Sequence, residues 1–189
     1  MTNYVGEVVE SSTRRFIARS KNIGESPCFG CFVKTDSNPV VYGVVYEIIT
    51  ESKEPGRRPE TYGMSLKELK QAQPQIFELL KTEFHVLTIA YLEKERVVFS
   101  LPPIPPTIHS FVYECTREEV KELTSEDFFL RIIISSPNIP VDELIISAIR
   151  YSQEARGNDT DYVIRVGKSL ARLFKDDYER LSSVLRRVI

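Results

Sequence analysis

Phe84-His85-Val86-Leu87-Thr88-Ile89-Ala90-Tyr91-Leu92, then Glu93-Lys94-Glu95, then Arg96-Val97-Val98-Phe99-Ser100-Leu101. Two apolar runs rich in β-branched and aromatic residues flank a charged tip, the pattern of a β-hairpin. Similar runs lie upstream: Tyr4 to Val9, Phe16 to Ala18, Phe29 to Val33 and Val40 to Ile49. Asn22 with Gly24, Pro27, and Asp36-Ser37-Asn38-Pro39 supply turn chemistry between them. Ile108 to Cys115 offers a last strand. About six short strands joined by turns leave exposed edges unless the sheet closes, so residues 1–114 are predicted to form a small closed six-stranded β-barrel.

Two stretches interrupt that domain. Residues 51–82 form an insertion, with a polar Pro/Gly loop at Lys53–Pro59 and a short helix before Pro74. Ser65-Leu66-Lys67-Glu68 has capping-box spacing at that helix start. Pro102-Pro103-Ile104-Pro105-Pro106 forces an extended strut, more a stiff connector than an SH3-type ligand. From Thr116 the period changes. Thr116-Arg117-Glu118-Glu119 is a second capping box, and Ser125 is positioned to cap a helix through Phe128, Phe129 and Ile132. Pro140 suits a first helical position, with Val141, Leu144, Ile145, Ala148 and Ile149 in helical register behind it. A final helix is expected from about Thr160 nearly to Ile189. The fold class is therefore α+β: a barrel, then a helical region over residues 115–189.

The composition is that of a globular chain. Of 189 residues 42% are hydrophobic and 28% charged, which excludes collagen-like, low-complexity and largely disordered classes. No apolar run approaches a membrane span, and the N-terminus lacks a basic start leading into an apolar segment. A cytoplasmic protein without membrane association is expected. Twenty-five basic against 27 acidic groups give a net charge of −2, but this is a cancellation. Residues 1–115 carry 13 basic and 14 acidic groups, residues 116–161 five and ten, and residues 162–189 seven and three.

No catalytic constellation emerges. Gly167-Lys168-Ser169 imitates the end of a P-loop, yet Tyr162 stands where the first glycine belongs and helical periodicity surrounds the motif. Cys28-Phe29-Gly30-Cys31 is a CxxC with extended flanks and no following helix to lower a thiol pKa. A zinc site there would need two ligands from Cys115, His85 and His109, so buried free thiols are the simpler reading and metal binding by Cys28 and Cys31 stays open. No Gly-x-Ser-x-Gly elbow or His-Glu-x-x-His helix occurs. A non-enzyme without cofactor is expected.

One feature stands above background. Arg165, Lys168, Arg172 and Lys175 recur at spacings of 3, 4 and 3, within about a quarter of a helix circumference, and Arg186 extends the row. This is either a basic ridge for a partner or phosphates, or a solvated outer face complemented by the acidic segment before it.

The N-terminal region also resembles the HerA–ATP synthase (HAS) barrel, over roughly residues 3–113. The resemblance rests on Tyr4-Val5-Gly6-Glu7-Val8-Val9, Phe16-Ile17-Ala18, Gly30-Cys31-Phe32-Val33-Lys34, Val41-Tyr42-Gly43-Val44-Val45-Tyr46-Glu47-Ile48, Thr82-Glu83-Phe84-His85-Val86-Leu87 and the proline strut. Barrels of that family crown ATPase rings and dock partners, without catalytic residues of their own. The helical remainder here cannot hold the RecA-like ATPase that follows the barrel in the family. The resemblance thus implies a non-catalytic adaptor or assembly subunit with an ATPase- or translocase-type protein partner, with homo-oligomers possible. The alternative is a nucleic-acid-binding small barrel, using Tyr42, Tyr46, Phe29 and Phe32 for stacking and Arg14-Arg15, Arg57-Arg58 and the basic C-terminal helix for charge.

Overall fold

The computed structural model describes residues 3–188; Met1, Thr2 and Ile189 lie outside the described residues. Seven strands run antiparallel: β1 (Gly6–Ser11), β2 (Arg15–Ser20), β3 (Phe32–Thr35), β4 (Val41–Ser52), β5 (Leu80–Glu93), β6 (Arg96–Val98) and β7 (Phe111–Glu114). Their order is β2-β1-β7-β3-β4-β5-β6, and a further β2–β5 pairing closes six of them into a barrel. The α+β class and the closed six-stranded barrel follow the sequence. The seventh strand, β6, is the outer arm of the hairpin and lies beside β5 outside the closed ring. The hairpin tip is the two-residue turn Lys94-Glu95, with both residues at positive φ (47° and 65°), which matches the twist of the flanking strands.

Val8, Phe16, Ala18, Val33, Val45, Phe84, Val86 and Val112 fill the barrel. β4 explains how the rest attaches. Every residue from Val41 to Tyr46 is buried. Successive side chains of a strand point to opposite faces, so such a run must be covered on both. Val41 and Val45 point into the barrel, while Tyr42, Val44 and Tyr46 join Phe32, Leu87 and Ile89 in a second core beneath the helices. Register shifts at Tyr42/Gly43 and Val45/Glu47 bend β4 around the barrel.

The helices are α1 (Leu66–Ala72), α2 (Gln75–Glu78), α3 (Arg117–Leu123), α4 (Phe128–Ser135), α5 (Val141–Ala155), α6 (Thr160–Leu173) and α7 (Tyr178–Val188). Both capping boxes are formed, Ser65 with Glu68 and Thr116 with Glu119. α5 is the hub: Leu144, Ile145, Ala148 and Ile149 are fully buried between the barrel and the other helices. Gly30 (φ +82°) lets the loop before β3 press onto α5, where a Cβ would stand 2.5 Å from the Ser147 Cβ.

Four local expectations are corrected. Ser125 does not cap α4; its hydroxyl donates to Glu122 O at 2.8 Å, and Asp127 occupies the position before the helix. Pro140 stands just ahead of α5 rather than inside it. β4 and β5 continue as a polar ribbon through Ser52 and from Leu80, with Lys81 Nζ 3.2 Å from Glu51 Oε1, so the excursion spans only residues 53–79. The final helix is two helices. The chain breaks at Phe174–Asp177, where the Asp177 carboxylate accepts from Arg180 N at 3.0 Å and starts α7.

Candidate functional site

α6 presents the basic row. The Asp159 side chain accepts from Asp161 N at 3.0 Å and caps the helix start. Tyr162, Val166, Ser169 and Leu170 are buried at helical spacing and fix the helix on the core. The opposite side carries Arg165, Lys168 and Arg172, all exposed, together with Ile164 at 51% exposure. Lys175 is exposed just past the helix end. The break in the chain removes Arg186 from this row, because it belongs to the exposed surface of α7.

The five cations differ in their commitments. Lys168 and Arg186 have no ion-pair partner among the described residues. The Arg165 guanidinium lies 5.5 Å from the Tyr162 ring centroid, a cation–π contact. Arg172 donates to Ser169 Oγ at 3.1 Å and stands 3.6 Å from Asp127 Oδ2. Lys175 has only Asp176, at 4.0 Å. Hydrogen bonds from Arg131 hold the Asp127 carboxyl below its ordinary range, with Arg131 and Arg172 charge adding to the effect. The acidic segment therefore meets the row only at Asp127. Elsewhere Glu119 pairs with Lys34 of β3 at 2.5 Å, and two carboxylates meet α7: Asp142 accepts from Arg180 at 2.8 Å and Glu143 from Arg187 at 2.6 Å.

The remaining motifs resolve into packing. Gly167-Lys168-Ser169 lies within α6, with Gly167 facing α7 and Ser169 buried, so no loop is present to wrap a phosphate. Cys28 and Cys31 flank a tight turn, Cys31 N donating to Cys28 O at 3.0 Å. Cys31 is fully buried beside Tyr151, and burial pushes its thiol well up from the ordinary range. Burial also raises Cys28 and Cys115. His85 pairs with Glu47 at 3.1 Å and His109 with Glu7. Among the described residues no three His, Cys, Asp or Glu side chains are grouped to hold a metal ion.

The aromatics named for base stacking are mostly core residues. Phe32 is fully buried, Tyr42 and Tyr46 are each 5% exposed, and burial pushes the Tyr42 phenol up to about 12. Sequence reasoning missed a cleft between the barrel and the α4–α5 loop. Its lining residues come from positions 12 to 139, a convergence that no local spacing signals, although Arg14-Arg15 is visible as a pair. No helix is long and apolar enough to cross a membrane among the described residues. No protein-family model matches the chain, and no curated protein matches it.

Proposed function

We propose that this protein is a non-catalytic adaptor or assembly subunit that docks an acidic protein surface on the exposed face of α6. The observation that carries this reading is the row of Arg165, Lys168 and Arg172 beside the exposed Ile164, on a helix whose other side is buried in the core. An exposed apolar residue flanked on one side by cations combines apolar area with charge that an acidic surface can meet. Its charge would steer and orient an acidic partner more than it would fix raw affinity. An ATPase- or translocase-type complex is the partner class that the HAS-barrel resemblance suggests. The nucleic-acid reading is weaker, because its stacking side chains are largely committed to the core.

The test uses the full chain and a triple variant, Arg165→Glu, Lys168→Glu and Arg172→Glu, with folding verified by thermal melting. Fluorescence anisotropy with a labelled glutamate-rich peptide and with a labelled single-stranded oligonucleotide separates the two classes. The expected result is salt-sensitive binding of the peptide that the triple variant loses. Absence of peptide binding at low salt, or equal binding by the variant, refutes the basic-face reading. Tighter binding of the oligonucleotide than of the peptide transfers the proposal to nucleic acid.

A further inference from the structure

The cleft between the barrel and the helical region carries an independent inference. It encloses about 610 Å³, within the range of sites for small organic molecules. Tyr46 and Leu87 of the barrel, Phe99 after β6 and Ile132 of α4 give it apolar walls. Arg14 and Arg15, in and beside the β1–β2 turn, are its only charged lining residues among the described residues, and no carboxylate of these lines it. Neither arginine has an ion-pair partner among the described residues.

The backbone that carries these two exposed cations is held in place. The Ser12 hydroxyl donates to Arg15 O at 2.9 Å and accepts from Arg15 N at 3.2 Å. Thr88 N donates to Arg14 O at 3.0 Å, and Arg15 pairs with Leu87 across β2 and β5. The turn is thus clamped to the strand that forms the cleft wall. Thr88 also lines the cleft; it is 1% exposed, and its hydroxyl has no hydrogen-bond partner among the described residues.

We propose that this cleft binds a small amphipathic anion, an apolar chain or ring headed by a carboxylate or a phosphate, with Arg14 and Arg15 holding the head group. The pairing of apolar walls with two uncompensated guanidinium groups selects this class. A neutral apolar molecule would leave the arginines unused, and a small inorganic anion would leave the walls unfilled.

The experiment is isothermal titration calorimetry of the full chain with decanoate, decyl phosphate and decan-1-ol, each below its aggregation limit. Saturable binding of one molecule of either anion is expected, and the tighter of the two identifies the head group. Arg14→Gln with Arg15→Gln should weaken the anion by about tenfold or more, as loss of charge-assisted hydrogen bonds implies. Ile132→Trp fills the cleft while leaving both arginines in place, and should abolish binding. The proposal is overturned if neither anion binds at millimolar concentration, if decan-1-ol binds as tightly as the anions, or if the folded double variant keeps full affinity. The α6 triple variant should retain anion binding, so the cleft and the basic face succeed or fail separately.

Discussion

Gly30→Ala should loosen the attachment of the helices to the barrel. Gly30 is buried with φ +82°, a conformation that costs a residue bearing a Cβ about 1–2 kcal/mol. The added methyl would also stand 2.5 Å from the Ser147 Cβ and 2.9 Å from Ala148 N, both on α5. The loop cannot retreat freely, because Gly30 N donates to Val45 O at 2.8 Å. Overpacking against a fixed helix adds about 1–3 kcal/mol, for a total of roughly 2–5 kcal/mol. A chain of this length has an unfolding entropy of about 0.4 kcal/mol per degree, so Tm should fall by roughly 5–12 °C. Gly24→Ala supplies the control. Gly24 has φ +76° but nothing within 4 Å of an added Cβ, so only the backbone cost applies, about 2–5 °C. Thermal melts of both variants are the assay, with hydrogen exchange across α5 as a second readout. Equal losses in the two variants, or unchanged exchange in α5, would refute the claim that Gly30 exists for the approach to that helix.

Acid should destabilise the protein in a defined window. Asp127 and Glu143 sit below the ordinary carboxyl range, chiefly through hydrogen bonds from Arg131 and Arg187 respectively. A carboxyl lowered on folding stabilises above its unfolded pKa, about 4, and loses that contribution as pH falls through the folded value. Tm should therefore hold between about pH 7 and 5 and drop below about 4, with a shallower drop in Asp127→Asn; a Tm that rises on acidification contradicts this. The three thiols should react poorly with a disulfide reagent at neutral pH, because desolvation raises all of them. Slow reaction of the exposed Cys28 alone is expected, with Cys31 and Cys115 reacting only on denaturation; rapid titration of all three would refute their placement.

The barrel was legible because its strands carry β-branched and aromatic runs broken by turn residues, and because the two capping boxes are local chemistry. What escaped was set by contacts distant in sequence. The polar ribbon of Glu51, Ser52, Lys81 and Thr82 is held by cross-strand pairing and not by an apolar face, so hydropathy reads it as loop. The division of the last helix left a faint trace. After Phe174 the next apolar position on the same face is Leu181, and Asp177 between them is a good cap residue. With no glycine or proline at the break, periodicity carried through it, and Arg186 was placed on a row it does not share. The α6 cations were legible because they are local. The cleft was not, since it depends on how the β1–β2 turn meets a loop more than 100 residues later.

The excursion between β4 and β5 leaves and returns at one place: Lys53 N donates to Leu79 O at 2.8 Å, directly beyond the last ribbon pair, Ser52 and Leu80. Its first helix buries no residue. Topologically it is a side branch, a loop tied off at its own stem. Growth or shrinkage of that branch changes the closure entropy only logarithmically with length. The same stem gives this barrel a position where added chain can accumulate without altering either the α6 surface or the Arg14-Arg15 cleft.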